Sequence, residues 1–221
     1  MMNFKPAAFA FATMIVAASA ATAHAASCAP PTGFVDTPHP ALSADAPLVS
    51  HTEEITFDHP LEVVLTTINR PLKDTVHQSS SLPGVAGDYA LTPGEFGVPG
   101  TRRLVCLSDG STLEEQSLVR EQTGTTYHFR YVVWNYTTAQ AAPIEYGLGD
   151  FQYNVVGADK THLTWVYSFK LRDNRFPGYL GGLGRFLFRV DFLDRAYADM
   201  MRGTVAGMKS AVDSETAVGS K

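Results

Sequence analysis

The chain has 221 residues, 45% of them hydrophobic, with a formal net charge of −5 and a pI near 5.8. That length suits one globular domain that buries its own core without staples. The mildly acidic balance lacks a basic run, which argues against a nucleic-acid partner and against an anionic lipid surface.

A single cation, Lys5, precedes an alanine-rich apolar run over residues 7–23 that closes on Ala23-His24-Ala25. Small residues flanking one larger one read as a cleavage site, so residues 1–25 are expected to be a signal peptide. The run is short for a bilayer span and no charged stop-transfer cluster follows, so no stable membrane insertion is expected after cleavage. Its alanine-rich style is bacterial, and the expected location is periplasmic or secreted. The two cysteines, Cys28 and Cys106, would then sit where disulfides persist. A bridge would close a long loop and contribute about 4.5 kcal/mol by chain entropy. Cys28 would be third from a new, mobile terminus, so pairing stays open on sequence alone. Ala25-Ala26-Ser27 lacks the bulky apolar residue usual before a lipidated cysteine.

Residues 26–50 carry five prolines among small and polar residues, and read as a linker or surface arm. Residues 52–57 alternate polar and apolar, as a half-buried strand does. Asp58-His59-Pro60 offers a helix start with Asp58 as N-cap. Leu61, Val64, Leu65 and Ile68 form that helix's stripe, and Pro71 restarts a second short helix to about residue 78. A long loop is expected over residues 79–100. Strands follow at 102–107, 112–122, 126–136, 144–156 and 161–171, separated by turn signals such as Asp109-Gly110, an antiparallel meander. One long helix over 183–212 carries the stripe Phe186, Val190, Leu193, Tyr197, Met201, Thr204, Met208 and Ala211. Gly203 and Gly207 would let its backbone approach another element.

Side chains alternate faces along a strand. On residues 126–136 the odd positions Tyr127, Phe129, Tyr131 and Val133 are the apolar set, opposite His128 and Arg130. On 161–171 the odd set is Leu163, Trp165, Tyr167, Phe169 and Leu171, and the strand between them offers Phe151, Tyr153 and Val155. These sets are expected to face the helix. Tyrosine buries a ring yet presents a hydroxyl, which a plain core does not need.

This order of elements is α+β. With Leu82-Pro83-Gly84-Val85, Gly100-Thr101-Arg102-Arg103, Asp109-Gly110 with Glu115, and Thr161-His162-Leu163-Thr164-Trp165, it resembles the START-like (SRPBCC) superfamily, which includes polyketide cyclase/dehydrase-like and lipid-transport proteins. The resemblance covers residues 51–213 as one domain, with 214–221 as a disordered tail. It implies a helix-grip fold: a curved, mostly antiparallel sheet around a long C-terminal helix, with two short helices after the first strand. It also implies an apolar ligand in the cavity between sheet and helix.

No HExxH, G-x-S-x-G, phosphate loop or metal-spaced cluster is present, and no cofactor or metal is expected. His59 reads as a capping or surface residue, and His128 and His162 as solvent-facing. Arg103 and Glu115 lie on strands joined by the Asp109-Gly110 turn and are placed to pair, either structurally or inside the cavity. Gly181-Gly182-x-Gly184 reads as a flexible lip at the cavity mouth, and Asn135-Tyr136-Thr137 is a glycosylation sequon that matters only in a eukaryote. The expected function is binding of a hydrophobic small molecule or lipid. The alternative is a cyclase or dehydratase using Tyr131, Tyr167, Arg103 or Glu115. The expected ligand-binding residues are Phe129, Tyr131, Phe151, Tyr153, Trp165, Tyr167, Tyr197, Met201, Arg103 and Glu115.

Overall fold

A computed structural model describes residues 28–219. The expected signal peptide lies outside the described residues. Seven strands build one sheet: β1 (Val49–Phe57), β2 (Val85–Ala90), β3 (Arg102–Leu107), β4 (Thr112–Gln122), β5 (Thr126–Trp134), β6 (Ile144–Gly157) and β7 (Lys160–Leu171). Their order is β1-β7-β6-β5-β4-β3-β2 and every neighbouring pair is antiparallel. β2 to β7 follow one another in space, with short turns joining β3 to β4, β4 to β5 and β6 to β7, and β1 closes on the free edge of β7. At the Asp109-Gly110 turn, Gly110 adopts φ 84° while the Asp109 carboxylate accepts the Ser111 amide at 2.9 Å.

β2 lies inside the segment expected to be one loop. It is an edge strand paired to β3 alone, with Gly87 and Asp88 at its middle and mostly exposed side chains, so no apolar alternation marks it. A bulge between Ser117 and Val119 shifts the β4–β5 register. One extra residue turns odd position Ser117 and even position Arg120 to the same face, which is why β4 shows no clean period.

Two short helices, α1 (Leu61–Ile68) and α2 (Leu72–Thr75), follow β1. Asp58 is not the N-cap. Pro60 takes that position, so Asp58 is too far from the first-turn amides, and its carboxylate instead meets Lys160 at 3.2 Å and Lys209 at 3.5 Å.

The C-terminal helix is continuous but not uniform: α3 (Gly182–Phe188), a π-helical stretch (Arg189–Tyr197) and α4 (Ala198–Gly219). Five-residue turns carry the buried face through Phe188, Leu193 and Ala198, after which α4 resumes with Met201, Val205, Met208 and Val212. A stripe drawn at constant period therefore misplaces Phe186 and Val190, which are exposed. Gly203 packs as expected, since a Cβ there would overlap the His77 ring, but Gly207 faces open space. The helix runs to Gly219, past residue 214 where a tail was expected.

One face of the sheet and the helix enclose the main core, with Leu163, Phe169 and Val64 against Leu193, Met201 and Val212. The other face holds a second cluster, Val132, Trp134, Tyr146 and Leu148, covered by Leu42 and Leu48 of the N-terminal arm. The arm is fixed at several points. Cys28 and Cys106 form a disulfide with Cα atoms 5.6 Å apart. The Thr37 carbonyl accepts the Trp134 indole N–H at 3.1 Å and the Arg102 guanidinium at 3.0 Å. Arg102 in turn pairs with Asp36 and with Glu114, a carboxylate 0% exposed, and lies over the Trp134 ring.

Candidate functional site

β5, β6 and β7 place their odd-numbered aromatics on the face that meets the helix. The rings form a continuous layer, Tyr131 to Phe151 at 6.3 Å and Phe151 to Trp165 at 4.7 Å with planes 16° apart. At the other end Tyr167 meets Tyr197 of the π-helical stretch at 4.7 Å. Glycines on β6 make room for this layer. A Cβ at Gly149 would overlap the Tyr131 ring, and one at Gly147 would lie 2.8 Å from the hydroxyls of both Tyr136 and Tyr167.

Two adjoining cavities lie between this layer and the helices. The larger, about 490 Å³, is bounded by Phe129, Tyr131, Phe151, Tyr153 and Trp165 on the sheet, Leu65, Ile68, Leu72 and Val76 on α1 and α2 and the segment after them, and Thr204 and Met208 on α4. Its rim is polar, with Glu62, Arg70, Glu95, Arg120 and Gln122. The smaller, about 160 Å³, is bounded by Val105, Leu113, Glu115, Val133, Tyr136, Tyr167, Phe169, Tyr197 and Met200. Tyr131 and Trp165 border both.

Arg103 and Glu115 are register partners and both face inward. The Arg103 guanidinium donates to the Glu115 carboxylate at 2.7 Å through Nε and 2.6 Å through a terminal nitrogen, and sits 3.8 Å over the Phe96 ring. Around them the phenols are hard to ionise. Burial pushes Tyr131, Tyr167 and Tyr197 well above the ordinary 10.0, and the Glu115 carboxylate adds to the rise for Tyr131 and Tyr197. Burial raises Tyr136 and Tyr153 likewise. At neutral pH all five hydroxyls are therefore uncharged.

No protein-family model matches the sequence, and no curated protein does. Solved structures do match. Ara h 8.0201 aligns over 76% of this chain and 99% of its own, with a TM-score of 0.52 and 15% identity. The di-domain ARO/CYC StfQ from the steffimycin biosynthetic pathway aligns over 77% of this chain and 52% of its own, with a TM-score of 0.53 and 14% identity. The chain has the helix-grip fold, shared with these two structures.

Within this helix-grip interior the structure gathers nine of the ten expected residues. Phe129, Phe151, Tyr153 and Arg103 border the larger cavity, Tyr167, Tyr197 and Glu115 the smaller, and Tyr131 and Trp165 both. Met201 borders neither. It is fully buried in the core, because the π-helical turns rotate Met200 toward the cavity in its place. The space is also two compartments, one with a polar mouth, where a single enclosed apolar space was expected. The glycines near 181 are no lip to either cavity. A Cβ at Gly184 would overlap the Pro177 carbonyl, so they form a tight turn into α3.

Tyr136 escaped the sequence reading because the strand expected over 126–136 ends at Trp134. Asn135 adopts φ 53°, a left-handed turn that asparagine tolerates, and this brings Tyr136 to the cavity wall. Arg120 escaped because the bulge reverses its face. His128 and His162 lie on the outer face, as expected, bonded to Asp150 at 3.1 Å and Thr56 at 3.0 Å.

Gly149→Ala tests the glycine's part in shaping the site. The added methyl must displace Tyr131 into the cavity, an overpacking expected to cost about 1–3 kcal/mol in urea unfolding. The variant should also bind Nile red about 10-fold more weakly, as a shared wall of both cavities moves inward. Unchanged dye affinity with unchanged stability would show that Tyr131 yields without cost.

Proposed function

We propose that this protein is exported and binds a hydrophobic small molecule, a lipid or polyketide-like compound, between its sheet and its C-terminal helix. The observation that carries the reading is the larger cavity, about 490 Å³, walled by stacked aromatics and continued by a second compartment beyond Tyr131 and Trp165. Small-molecule sites have this size and this mixture of apolar wall and few polar groups. Hiding about 300 Å² of apolar ligand surface gains roughly 7 kcal/mol. At least about 4 kcal/mol is lost on association, so apolar burial of that size alone supports roughly millimolar binding, and tighter binding needs the polar contacts as well. Export is supported by the Ala23-His24-Ala25 site and by the Cys28–Cys106 disulfide, which suits an oxidising compartment. Among the described residues no helix is long and apolar enough to cross a membrane.

A second reading, a cyclase or dehydratase working in the same cavity, is favoured by the ARO/CYC designation of StfQ and by Arg103 and Glu115 facing inward. Binding is preferred to turnover because Glu115 is held by Arg103 and the phenols resist ionisation, leaving hydrogen-bond donors rather than bases.

Native mass spectrometry of the full-length product recovered from outside the cytoplasm tests this reading. The expected spectrum shows a chain starting at Ala26 with a noncovalent small-molecule adduct that denaturation releases. A chain retaining Met1 would overturn export, and a chain without adduct that also takes up no apolar probe would overturn binding.

A further inference from the structure

The chain has two tryptophans, and their indole N–H groups fare differently. That of Trp134 donates to the Thr37 carbonyl at 3.1 Å. That of Trp165 is buried and has no hydrogen-bond partner, although the residue is only 3% exposed. Trp165 borders both cavities. The hydroxyl of Tyr136, on the wall of the smaller cavity, is likewise buried and unsatisfied. The Tyr167 hydroxyl lies close enough to oppose the rise in the Tyr136 pKa that burial causes, but the geometry between the two falls short of a hydrogen bond. An unpaired buried donor is rare because it forfeits its bonds to water. An indole N–H only donates, so what satisfies Trp165 has to be an acceptor.

The charge of that acceptor is set by its surroundings. Glu115 borders the smaller cavity, and the one cation beside it, Arg103, is already paired with it at 2.6 Å. A carboxylate or phosphate entering here would shed its hydration to face Glu115, and the basic side chain lining this wall is the imidazole of His77 rather than a lysine or arginine. A ketone, ester or quinone oxygen sheds far less. Resting on the proposed binding function, we infer that the smaller cavity seats an uncharged oxygen acceptor of the ligand, held by Trp165 Nε1 and Tyr136 Oη, and that Glu115 turns anionic head groups away. The larger cavity then houses the ligand's apolar body. Fatty acids and phospholipid head groups are thereby disfavoured as occupants of the inner end.

Three probes of one size separate the possibilities: acetylnaphthalene (neutral acceptor), ethylnaphthalene (no acceptor) and naphthoate (anion), titrated calorimetrically into the full protein. Acetylnaphthalene should bind about 10-fold tighter than either of the others, the difference one well-made hydrogen bond supports. Trp165→Phe and Tyr136→Phe should each bring the acetyl-to-ethyl affinity ratio down toward about 1, and Glu115→Gln should improve naphthoate relative to ethylnaphthalene. Equal affinities for all three probes, or a preference for naphthoate, would overturn the inference while leaving apolar binding intact. Failure of all three to bind would overturn the binding function with it. The wild-type ranking decides even if a variant does not fold.

Discussion

Replacing Cys28 and Cys106 together with serine should lower the unfolding free energy by about 4.5 kcal/mol, the chain-entropy value for a loop of this length. The bridge spans a sequence separation of 78. It also does local work, because it ties the start of the N-terminal arm to β3 on the sheet's outer face. The other end of the arm runs into β1, so the segment is held at both ends across Val132, Trp134, Tyr146 and Leu148. Without the bridge, one end is held only by noncovalent contacts such as the bonds to Thr37. Urea unfolding of the disulfide-intact and double-serine proteins measures the loss. Trp134 emission, read in a Trp165→Phe background, should shift to the red before the global transition as the arm lifts. A loss under about 1 kcal/mol would mean the arm is held by its packing alone.

Removing the charge of Arg102 should be nearly as damaging. Glu114 is 0% exposed, and its partners are Arg102 and the Asn135 amide, which donates to it at 2.6 Å. Arg102→Met leaves a buried carboxylate short of its cation, at a cost of about 3–5 kcal/mol near neutral pH. The pH dependence follows from the direction of the Glu114 shift. Burial is the largest influence and raises its pKa above the ordinary 4.5, while Asn135 and Arg102 oppose the rise. The folded state thus holds its proton more tightly than the unfolded chain. This group's contribution to stability is greatest in acid and falls as pH climbs above 4.5. Arg102→Met removes an opposing group, so its cost should be smaller in mild acid than at neutrality. The double variant Arg102→Met/Glu114→Leu should recover most of the loss, since an apolar pair tolerates burial. A double variant as unstable as the single one would place the cost in lost packing against Trp134 instead.

The five strands from β3 to β7 were legible because turn residues bound them, and β5, β6 and β7 also carry apolar residues at alternate positions. The inner wall followed from that parity alone for Phe129, Tyr131, Trp165 and Tyr167. What escaped had local physical reasons. β2 buries too little to show alternation, and the bulge near Ser117 hides the inward face of Arg120. The π-helical stretch changes the helix period partway, which moved Phe186 and Val190 out of the core and exchanged Met201 for Met200 at the cavity. The second hydrophobic cluster left a trace in Val132 and Trp134, even-numbered apolar residues on a face otherwise marked by His128 and Arg130. Their cover, the proline-rich arm, has no period of its own to announce it.

The most direct test of the central claim, an apolar ligand seated between sheet and helix, is a crystal grown with bromonaphthalene and measured at the bromine edge. The account predicts an anomalous peak inside the larger cavity, in contact with Phe151, Trp165 and Met208. Bromine found only on the outer surface at saturating probe, with that cavity closed by its own side chains, would contradict it.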